Sequence, residues 1–159
     1  MKFEAILFDC DGVLVDSEPI TNGVLRDMLA EAGWVLTPEE CMRLFIGKMV
    51  RSEAARIEHH TGRPLTDEWM SAFYARRNAA LEAQLTAIEH IHGAVERVHA
   101  HHDGRIACAS GAARFQVAMQ LAKVGLAPYF AGRIFSGHEM SATKPAPDVY
   151  LAAAAALGA

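Results

Sequence analysis

The sequence lacks the features that mark several large classes of protein. It has only three cysteines, an odd number without a regular spacing, so a disulfide framework of the kind found in small secreted domains is not expected. No apolar run approaches the ~20 residues that a membrane-spanning helix requires. The net charge is −4 and the basic residues are scattered, which is not typical of a nucleic-acid-binding surface. We therefore expect neither a membrane nor a nucleic-acid partner, and we take the cytoplasm as the default compartment.

What is present is the composition of a soluble globular protein, with 52% hydrophobic and 21% charged residues. A chain of 159 residues can form one domain with a substantial core, or a core domain that carries a small insertion. A secretory signal is not predicted at the start, because Glu4 precedes an apolar run that covers only residues 5–8.

Two aspartates, Asp9 and Asp11, directly follow this apolar run, which is typical of a short buried strand. Gly12 then allows the chain to turn sharply. Side chains two positions apart in extended chain point the same way, so both carboxylates are expected at the carboxyl end of a strand, where open α/β sheets bind ligands. Two like charges at close range require either a cation or a proton on one of them. The pair therefore predicts a functional site.

The rest of the chain has two patterns. Residues 16–85 contain one helical pattern after another and no convincing strand, with helix starts at Asp16-Ser17, at Thr37 and at Thr66. After that, helices alternate with short apolar strands, which predicts a parallel sheet with right-handed crossovers. The helical block therefore looks inserted between the first strand and the remainder of the sheet.

Two further polar groups lie where predicted strands or loops meet helices. Ser110-Gly111 ends a strand predicted at 105–109 and precedes a helix predicted at 112–123, whose free N–H groups and dipole favour an anion. Lys144 precedes the last helix and adds a positive charge. Because the strands of a parallel sheet end along one edge, these groups are expected to meet the two aspartates there. Such a set suits phosphoryl transfer, with a nucleophile, an acid/base group and groups that stabilise an oxyanion.

Three segments resemble, in the same order, the motifs of haloacid dehalogenase superfamily phosphatases. Residues 9–18 are similar to the first motif, Ala109-Ser110-Gly111 to the second, and residues 144–148 to the third. The best match is the branch with an α-helical cap after the first motif, which contains β-phosphoglucomutase and small sugar-phosphate phosphatases. This resemblance spans nearly the whole chain.

The resemblance implies an α/β fold with a three-layer, Rossmann-like parallel-sheet core and an inserted α-helical cap. We assign residues 1–15 and 87–159 to the core domain and residues 16–86 to the cap domain. The cap of the family closes over the site and excludes water, with hinges expected at Asp16-Ser17 and at about 85–87.

The resemblance also implies roles for individual residues. Asp9 would attack phosphorus and form an aspartyl-phosphate, and Asp11 would protonate the leaving oxygen and then activate water. Ser110 and Gly111 would bind phosphoryl oxygens, while Lys144 would hold Asp9 and the phosphate together. Mg²⁺ would bind the Asp9 carboxylate and the Asp11 backbone carbonyl, which allows the carboxylates to face a phosphate dianion.

In the predicted cap, Glu18 is either a substrate contact or a first-turn carboxylate that complements the helix dipole. Arg77, beside Arg76, resembles the basic pair that reaches the remote end of the substrate, with a solvated helix face as the alternative. The mutase has a histidine shortly after the first motif, and Thr21 stands at that place here, which favours a phosphatase over a mutase.

One departure from the family concerns its fourth motif, an acidic pair that completes the Mg²⁺ shell and that is not found before Ala159. The strands that follow in the family would lie beside the first strand, so residues 5–8 would become an exposed apolar edge. We therefore expect a truncated form of a longer protein, with impaired activity, or a partner that covers this edge. The family is monomeric, and self-association through the edge is expected if the chain is truncated.

Other conspicuous residues are predicted to be structural. Five histidines cluster in the second half of the chain, but their spacing gives no zinc ligand set with cysteine, and a helix would spread several of them around its surface. They are His90, His92, His99, His101 and His102. We expect Cys10 to point into the core, and Trp34 and Trp69 to belong to the core of the cap.

The combined prediction is a Mg²⁺-dependent phosphatase that hydrolyses a small phosphorylated metabolite, preferably a sugar phosphate, through an aspartyl-phosphate. One alternative is a phosphomutase similar to β-phosphoglucomutase. The other is a truncated, catalytically impaired fragment that acts only in binding or assembly. Cap side chains set the choice of substrate, so the sequence does not name it.

Overall fold

A computed structural model describes residues 3–159, and the chain divides into two compact units. The first unit, called the core unit below, comprises the described part of Met1–Asp16 together with Leu85–Ala159. The second, the helical unit, comprises Ser17–Gln84, where the sequence predicted a cap over 16–86.

Strands and helices follow the two patterns of the sequence. The strands are β1 Ile6–Phe8, β2 Ile106–Ser110 and β3 Ile134–Ser136. The α-helices of the described residues are α1 Glu18–Glu31, α2 Pro38–Phe45, α3 Ala54–Thr61, α4 Asp67–Gln84, α5 Ile91–His101, α6 Arg114–Lys123 and α7 Asp148–Leu157. Short 3-10 helices occupy Val50–Glu53, Ala127–Phe130 and Gly137–Glu139.

The strands of the core unit form a parallel sheet in the order β1-β2-β3. Phe8 is in register with Cys108, and Ser110 with Ser136, so all three strands end along one edge of the sheet. In the described sheet β1 pairs with β2 alone, and its residues are half-buried. The predicted α/β fold with a parallel sheet is confirmed.

Both faces of the sheet are covered. Successive side chains of β2 point to opposite faces, and each face packs against other residues. Ala107 and Ala109 pack with Val149 and Ala153 of α7 in a fully buried cluster. These small side chains leave room for the helix to lie close to the sheet. On the other face, Phe8 meets Phe130 edge to face, with ring centroids 5.8 Å apart. The result is the three-layer arrangement that the sequence predicted.

The helical unit contains α1 to α4, and no strand occurs among residues 17–84. Its core is a cluster of buried apolar side chains from all four helices, including Leu29, Phe45 and Phe73. Trp34 and Trp69 pack against this cluster, as predicted. Within residues 3–159, no helix has the length and apolar character that crossing a bilayer would need.

Two helix starts confirm local rules. At Thr37 both bonds of a capping box are present, with the threonine Oγ1 accepting from the Glu40 N–H at 3.2 Å and the Glu40 carboxylate accepting from the Thr37 N–H at 2.9 Å. At Thr66 the side chain accepts from the Trp69 N–H at 3.2 Å, and α4 begins at the next residue.

Other helix starts differ from the predictions. Ser17 holds the N-cap position of α1, but its side chain makes no capping hydrogen bond and its backbone is already helical, with φ −88° and ψ −23°. The helix predicted at 112–123 begins two residues later, at Arg114, because Ala113 is extended at φ −64° and ψ 142°. Before α3 the chain forms a 3-10 turn at Val50–Glu53.

Candidate active site

The carboxyl edge of the sheet brings Asp9 and Lys144 into direct contact. Asp9 follows β1, and its Oδ2 lies 2.8 Å from the Lys144 Nζ, while its Oδ1 accepts a hydrogen bond from the Cys10 N–H at 2.8 Å. The lysine side chain is 23% exposed and the aspartate side chain 37%, so solvent reaches the pair. At Asp9, the Lys144 ammonium group therefore supplies the positive charge that the sequence analysis expected beside the aspartates.

Lys144 is held by further contacts on other elements. Its Nζ donates to the Ala109 carbonyl oxygen of β2 at 2.9 Å and lies 4.7 Å from the centroid of the Tyr150 ring on α7. Burial works to lower the pKa of Lys144, but its bond to Asp9 and the nearby Tyr150 outweigh this and raise the pKa above its ordinary value. The ammonium group is therefore charged at neutral pH and joins β1, β2 and α7.

Asp11 lies in a tight turn directly after β1. The N–H groups of Val13, Leu14 and Val15 all point at the Cys10 carbonyl oxygen, at 2.9 to 3.2 Å, and the Gly12 N–H donates to the Val15 carbonyl at 2.9 Å. Gly12 has φ 73°, in the left-handed region that a side chain disfavours. The glycine in the motif is thus required by the turn that places Asp11.

A buried glutamine fixes the Asp11 side chain. Gln120 of α6 is 0% exposed, and its Nε2 donates to Asp11 Oδ1 at 2.9 Å. Its Oε1 accepts from the Cys10 thiol, with the sulfur 3.3 Å away. Cys10 itself is 0% exposed, as predicted, and its closeness to Cys108 and its burial raise its pKa, so its thiol stays protonated.

Ser110 and Gly111 form the turn that follows β2. Ser110 is 1% exposed, and its Oγ accepts from the Ala112 N–H at 3.0 Å. From the neighbouring strand, the Ser136 hydroxyl donates to the Ala112 carbonyl at 2.6 Å. A Cβ at Gly137 would lie 3.5 Å from the Gly111 Cα, so the two loops approach closely. Serine and glycine at these places hold the loop beside Asp9 and Lys144.

Ser110 does not cap the helix that follows it. Helix α6 begins at Arg114 with Ala113 as its N-cap, so the serine bond closes a turn before the helix. A hydroxyl that accepts one bond can still donate its hydrogen.

The atoms of Asp9 and Asp11 that could bind a metal ion are oxygens, which suit a hard divalent cation. The Asp9 carboxylate and the Asp11 backbone carbonyl are the oxygens that the resemblance assigns to Mg²⁺, which commonly takes one or two protein oxygens and completes its shell with water and phosphate. The part-exposed Asp9 carboxylate fits such a role. Within residues 3–159, this edge of the sheet included, no group of three or more His, Cys, Asp or Glu side chains is placed to hold a metal ion.

The other two predicted site residues belong to the helical unit. Glu18 is the first residue of α1 and is half-buried. Arg77 lies on α4, where its Nε and Nη2 donate to the Asn78 Oδ1 at 3.2 and 2.9 Å and its guanidinium carbon is 4.9 Å from the Tyr74 ring centroid. Its neighbour Arg76 pairs with Glu31 at 2.7 Å. The roles of Glu18 and Arg77 toward a substrate stay predictions.

A surface cleft of about 290 Å³ also lies within the helical unit. Apolar side chains, among them Met28, Ile57 and Trp69, line it together with the Arg76–Glu31 pair. The residues that line it do not include any of the predicted site residues.

The sequence analysis did not single out Gln120, Tyr150 or Ser136. Gln120 did leave a signal, since it lies at helical spacing from the buried Val117, where an apolar residue is expected. Ser136 and Tyr150 carry no such mark, because only the pairing of β2 with β3 and the packing of α7 bring them to the site.

Comparison with known proteins shows which family the chain resembles. The model of the haloacid dehalogenase-like hydrolase family matches residues 3–159. A curated relative, the 6-phosphogluconate phosphatase of Escherichia coli (strain K12), is 30% identical over 159 residues, which is 98% of this chain and 69% of that protein.

Two solved structures are also similar. A haloacid dehalogenase-like protein of unknown function from Agrobacterium tumefaciens has a TM-score of 0.87 and 33% identity, over 99% of this chain and 70% of that one. A haloacid dehalogenase family hydrolase from Deinococcus radiodurans, with bound phosphate and sodium, has a TM-score of 0.74 and 32% identity, over 98% of this chain and 68% of that one.

The fold, the motifs and these matches define a hydrolase. The chain belongs to the haloacid dehalogenase-like hydrolase family. The predicted family and fold class are thereby confirmed, and the predicted enzyme class, a phosphomonoesterase, is supported by the phosphatase among its relatives.

Proposed function

We propose that this chain is a Mg²⁺-dependent phosphatase that hydrolyses a small phosphorylated metabolite, preferably a sugar phosphate, through an aspartyl-phosphate on Asp9. The observation that carries the proposal is the 2.8 Å contact between Asp9 and Lys144 at the carboxyl edge of the sheet, with Lys144 also bonded to β2 beside Ser110. A carboxylate held next to a fixed positive charge suits a nucleophile that must approach a phosphate dianion.

In the first step a carboxylate oxygen of Asp9 attacks phosphorus. A bond forms between that oxygen and phosphorus, and the bond from phosphorus to the ester oxygen of the substrate breaks. Asp11, in its protonated form, transfers its proton to the departing oxygen, so the product leaves as an alcohol.

In the second step water attacks the phosphorus of the aspartyl-phosphate. The Asp11 carboxylate accepts a proton from the water, the bond between phosphorus and the Asp9 oxygen breaks, and inorganic phosphate is released. Both aspartates then return to their starting states, with Asp11 protonated for the next substrate.

Three groups around Asp9 are suited to hold the phosphoryl oxygens. The Ser110 hydroxyl accepts its bond from Ala112 and still has its own hydrogen to donate. Gly111 has no Cβ, and a Cβ built on it would meet nothing within 4 Å, so a ligand can approach its backbone closely. The Lys144 ammonium would bind a phosphoryl oxygen while it stays in contact with Asp9.

Mg²⁺, when bound, would offset the negative charge between the phosphate and the aspartates. We assign its protein ligands to the Asp9 carboxylate and the Asp11 backbone carbonyl.

The proposed substrate class draws on the Escherichia coli relative, whose name records 6-phosphogluconate, a phosphorylated sugar acid. We propose that Glu18 and Arg77 contact the part of the substrate remote from its phosphate. Thr21, at the place where the mutase has a histidine, favours transfer to water over transfer to a second sugar. The proposed partner is therefore a small phosphorylated metabolite, and we propose no nucleic-acid or membrane partner. The cytoplasmic location stays a prediction.

The test is hydrolysis of p-nitrophenyl phosphate and of a panel of sugar phosphates, with 6-phosphogluconate included, in the presence of Mg²⁺. Turnover should be abolished by Asp9→Asn and by EDTA, and restored when Mg²⁺ is returned in excess. Phosphorus NMR of the product should show inorganic phosphate, whereas a rearranged sugar phosphate would point to the mutase. An Asp9→Asn variant as active as the wild type would refute the proposed nucleophile, and no turnover by the wild type would favour a binding role.

A further inference from the structure

We infer that Gln120 is a positioning residue that holds the Asp11 carboxylate in place for proton transfer to the leaving group. This inference rests on the proposed function, in which Asp11 is the acid and base. It follows from one side chain that uses both ends of its amide, Nε2 toward Asp11 at 2.9 Å and Oε1 toward the Cys10 thiol at 3.3 Å.

The two partners determine which way the amide points. A carboxylate oxygen accepts hydrogen bonds, so the Gln120 NH₂ group faces Asp11 Oδ1 at 2.9 Å. The amide oxygen is then left toward Cys10, whose sulfur lies 3.3 Å away. Since Cys10 is adjacent in sequence to Asp11, both contacts of the amide are made with one turn of the chain.

The location of Gln120 argues against a role in packing alone. The side chain is 0% exposed, and its neighbours Val117 and Leu121 on α6 are also 0% exposed. A buried amide costs free energy unless it is hydrogen-bonded, and an apolar side chain would fill such a position without that requirement. What the glutamine adds is a donor aimed at Asp11 from a rigid helix.

The role has a consequence that depends on the leaving group. Transfer of the Asp11 proton matters most when the departing oxygen is a strongly basic alkoxide, as in a sugar phosphate. It matters little for p-nitrophenolate, which is stable without a proton. Because kcat/KM reports the steps up to the first phosphoryl transfer, a displaced Asp11 should lower kcat/KM for alkyl substrates selectively.

The experiment compares wild type with Gln120→Met, which retains the length of the side chain and loses the amide. With Mg²⁺, kcat/KM should fall about 10- to 100-fold for the preferred sugar phosphate and less than about 3-fold for p-nitrophenyl phosphate. The matched control is Leu121→Ala, which removes a buried neighbour on the same helix and should leave the ratio of the two kcat/KM values unchanged. Equal losses on both substrates in Gln120→Met would overturn the inference.

A second measurement does not depend on turnover. In the NMR spectrum the Gln120 side-chain NH₂ should exchange slowly with water, and its resonances should shift in Asp11→Ala but not in the exposed control Asp16→Ala. Fast exchange, or no shift in Asp11→Ala, would show that the glutamine does not hold Asp11. A wild type that is inactive on every phosphate ester but passes the NMR test would refute the proposed function while the Gln120–Asp11 bond stands.

Discussion

Replacing Lys144 by methionine tests whether the contact with Asp9 serves chemistry or only stability. The substitution keeps an unbranched side chain of similar length and removes the ammonium group. That group lies 2.8 Å from the Asp9 Oδ2 and 2.9 Å from the Ala109 carbonyl oxygen.

The two roles predict effects of different size. At an effective dielectric constant of about 20, opposite charges at this distance attract by about 6 kcal/mol before desolvation and screening, but measured pairs that water can reach contribute only ~0.2–1 kcal/mol. With side chains 23% and 37% exposed, we expect a loss of about 1 kcal/mol and a fall in melting temperature of about 2–4 °C. If Lys144 serves chemistry, the variant also loses the positive charge that contacts the phosphoryl group. In that case kcat should fall about 10²- to 10³-fold.

The stability effect has a defined dependence on pH. Burial lowers the pKa of Lys144, but Asp9 and Tyr150 raise it by more, so the folded value lies above the ordinary value of 10.5. A raised lysine pKa stabilises the folded state fully below the unfolded value, and this contribution is lost as the pH rises through the folded value. The difference in stability between wild type and Lys144→Met should therefore be constant from pH 7 to about 9 and shrink above about 10.5.

The assay is steady-state hydrolysis of p-nitrophenyl phosphate with Mg²⁺, together with thermal unfolding of the same samples. Lys123→Met, an exposed lysine in the last turn of α6, is the control and should change neither quantity. A Lys144→Met variant that is destabilised by about 1 kcal/mol but keeps its full kcat would refute the catalytic part of the reasoning.

Three further predictions concern stability and reactivity. Thr37→Ala removes the capping box of α2 and should cost about 1 kcal/mol in thermal unfolding, whereas an unchanged melting temperature would contradict this. The bond to Arg114 lowers the pKa of Glu139, so Glu139→Gln should destabilise the fold at pH 7. The difference should begin to shrink as the pH falls below 4.5 and should be lost once the pH is below the lowered pKa of the folded state; a difference that persists in stronger acid would show another cause. Native protein at pH 8 should react slowly with Ellman's reagent, and unfolded protein should react quickly. The reason is that all three thiols are buried and that burial raises the pKa of Cys41 to about 11. Rapid labelling of the native protein would show that a thiol is accessible.

The residues that could be predicted from sequence are those whose partners are close in the chain. The capping box at Thr37 joins groups three positions apart, and the threonine that starts α4 acts over the same distance, so both follow from local rules. The short apolar run before Asp9 likewise marks a strand without reference to the rest of the fold. Asp9, Asp11, Ser110 and Lys144 were found because each follows a strand or precedes a helix.

Local rules failed for two serines that lie close to helix starts. Ser17 has a residue type that favours an N-cap, yet its side chain makes no capping bond in α1. Ser110 was expected close to a helix start, but its hydroxyl bonds to Ala112 and the helix begins only at Arg114. A short polar side chain can bond to any of several nearby backbone groups, and propensity does not choose between them.

By itself, then, the sequence determined the alternation of strands and helices, the helical unit between them, and the residue types of the site, because periodicity and spacing are properties of the chain. Only the tertiary structure decided which groups meet: Lys144 with Asp9 and Ala109, and Gln120 with Asp11 and Cys10. These contacts join residues far apart in the chain, and they depend on strand order and on the packing of α6 and α7 against the sheet. A hydrogen bond requires atoms within about 3 Å, and no local pattern specifies that across a fold.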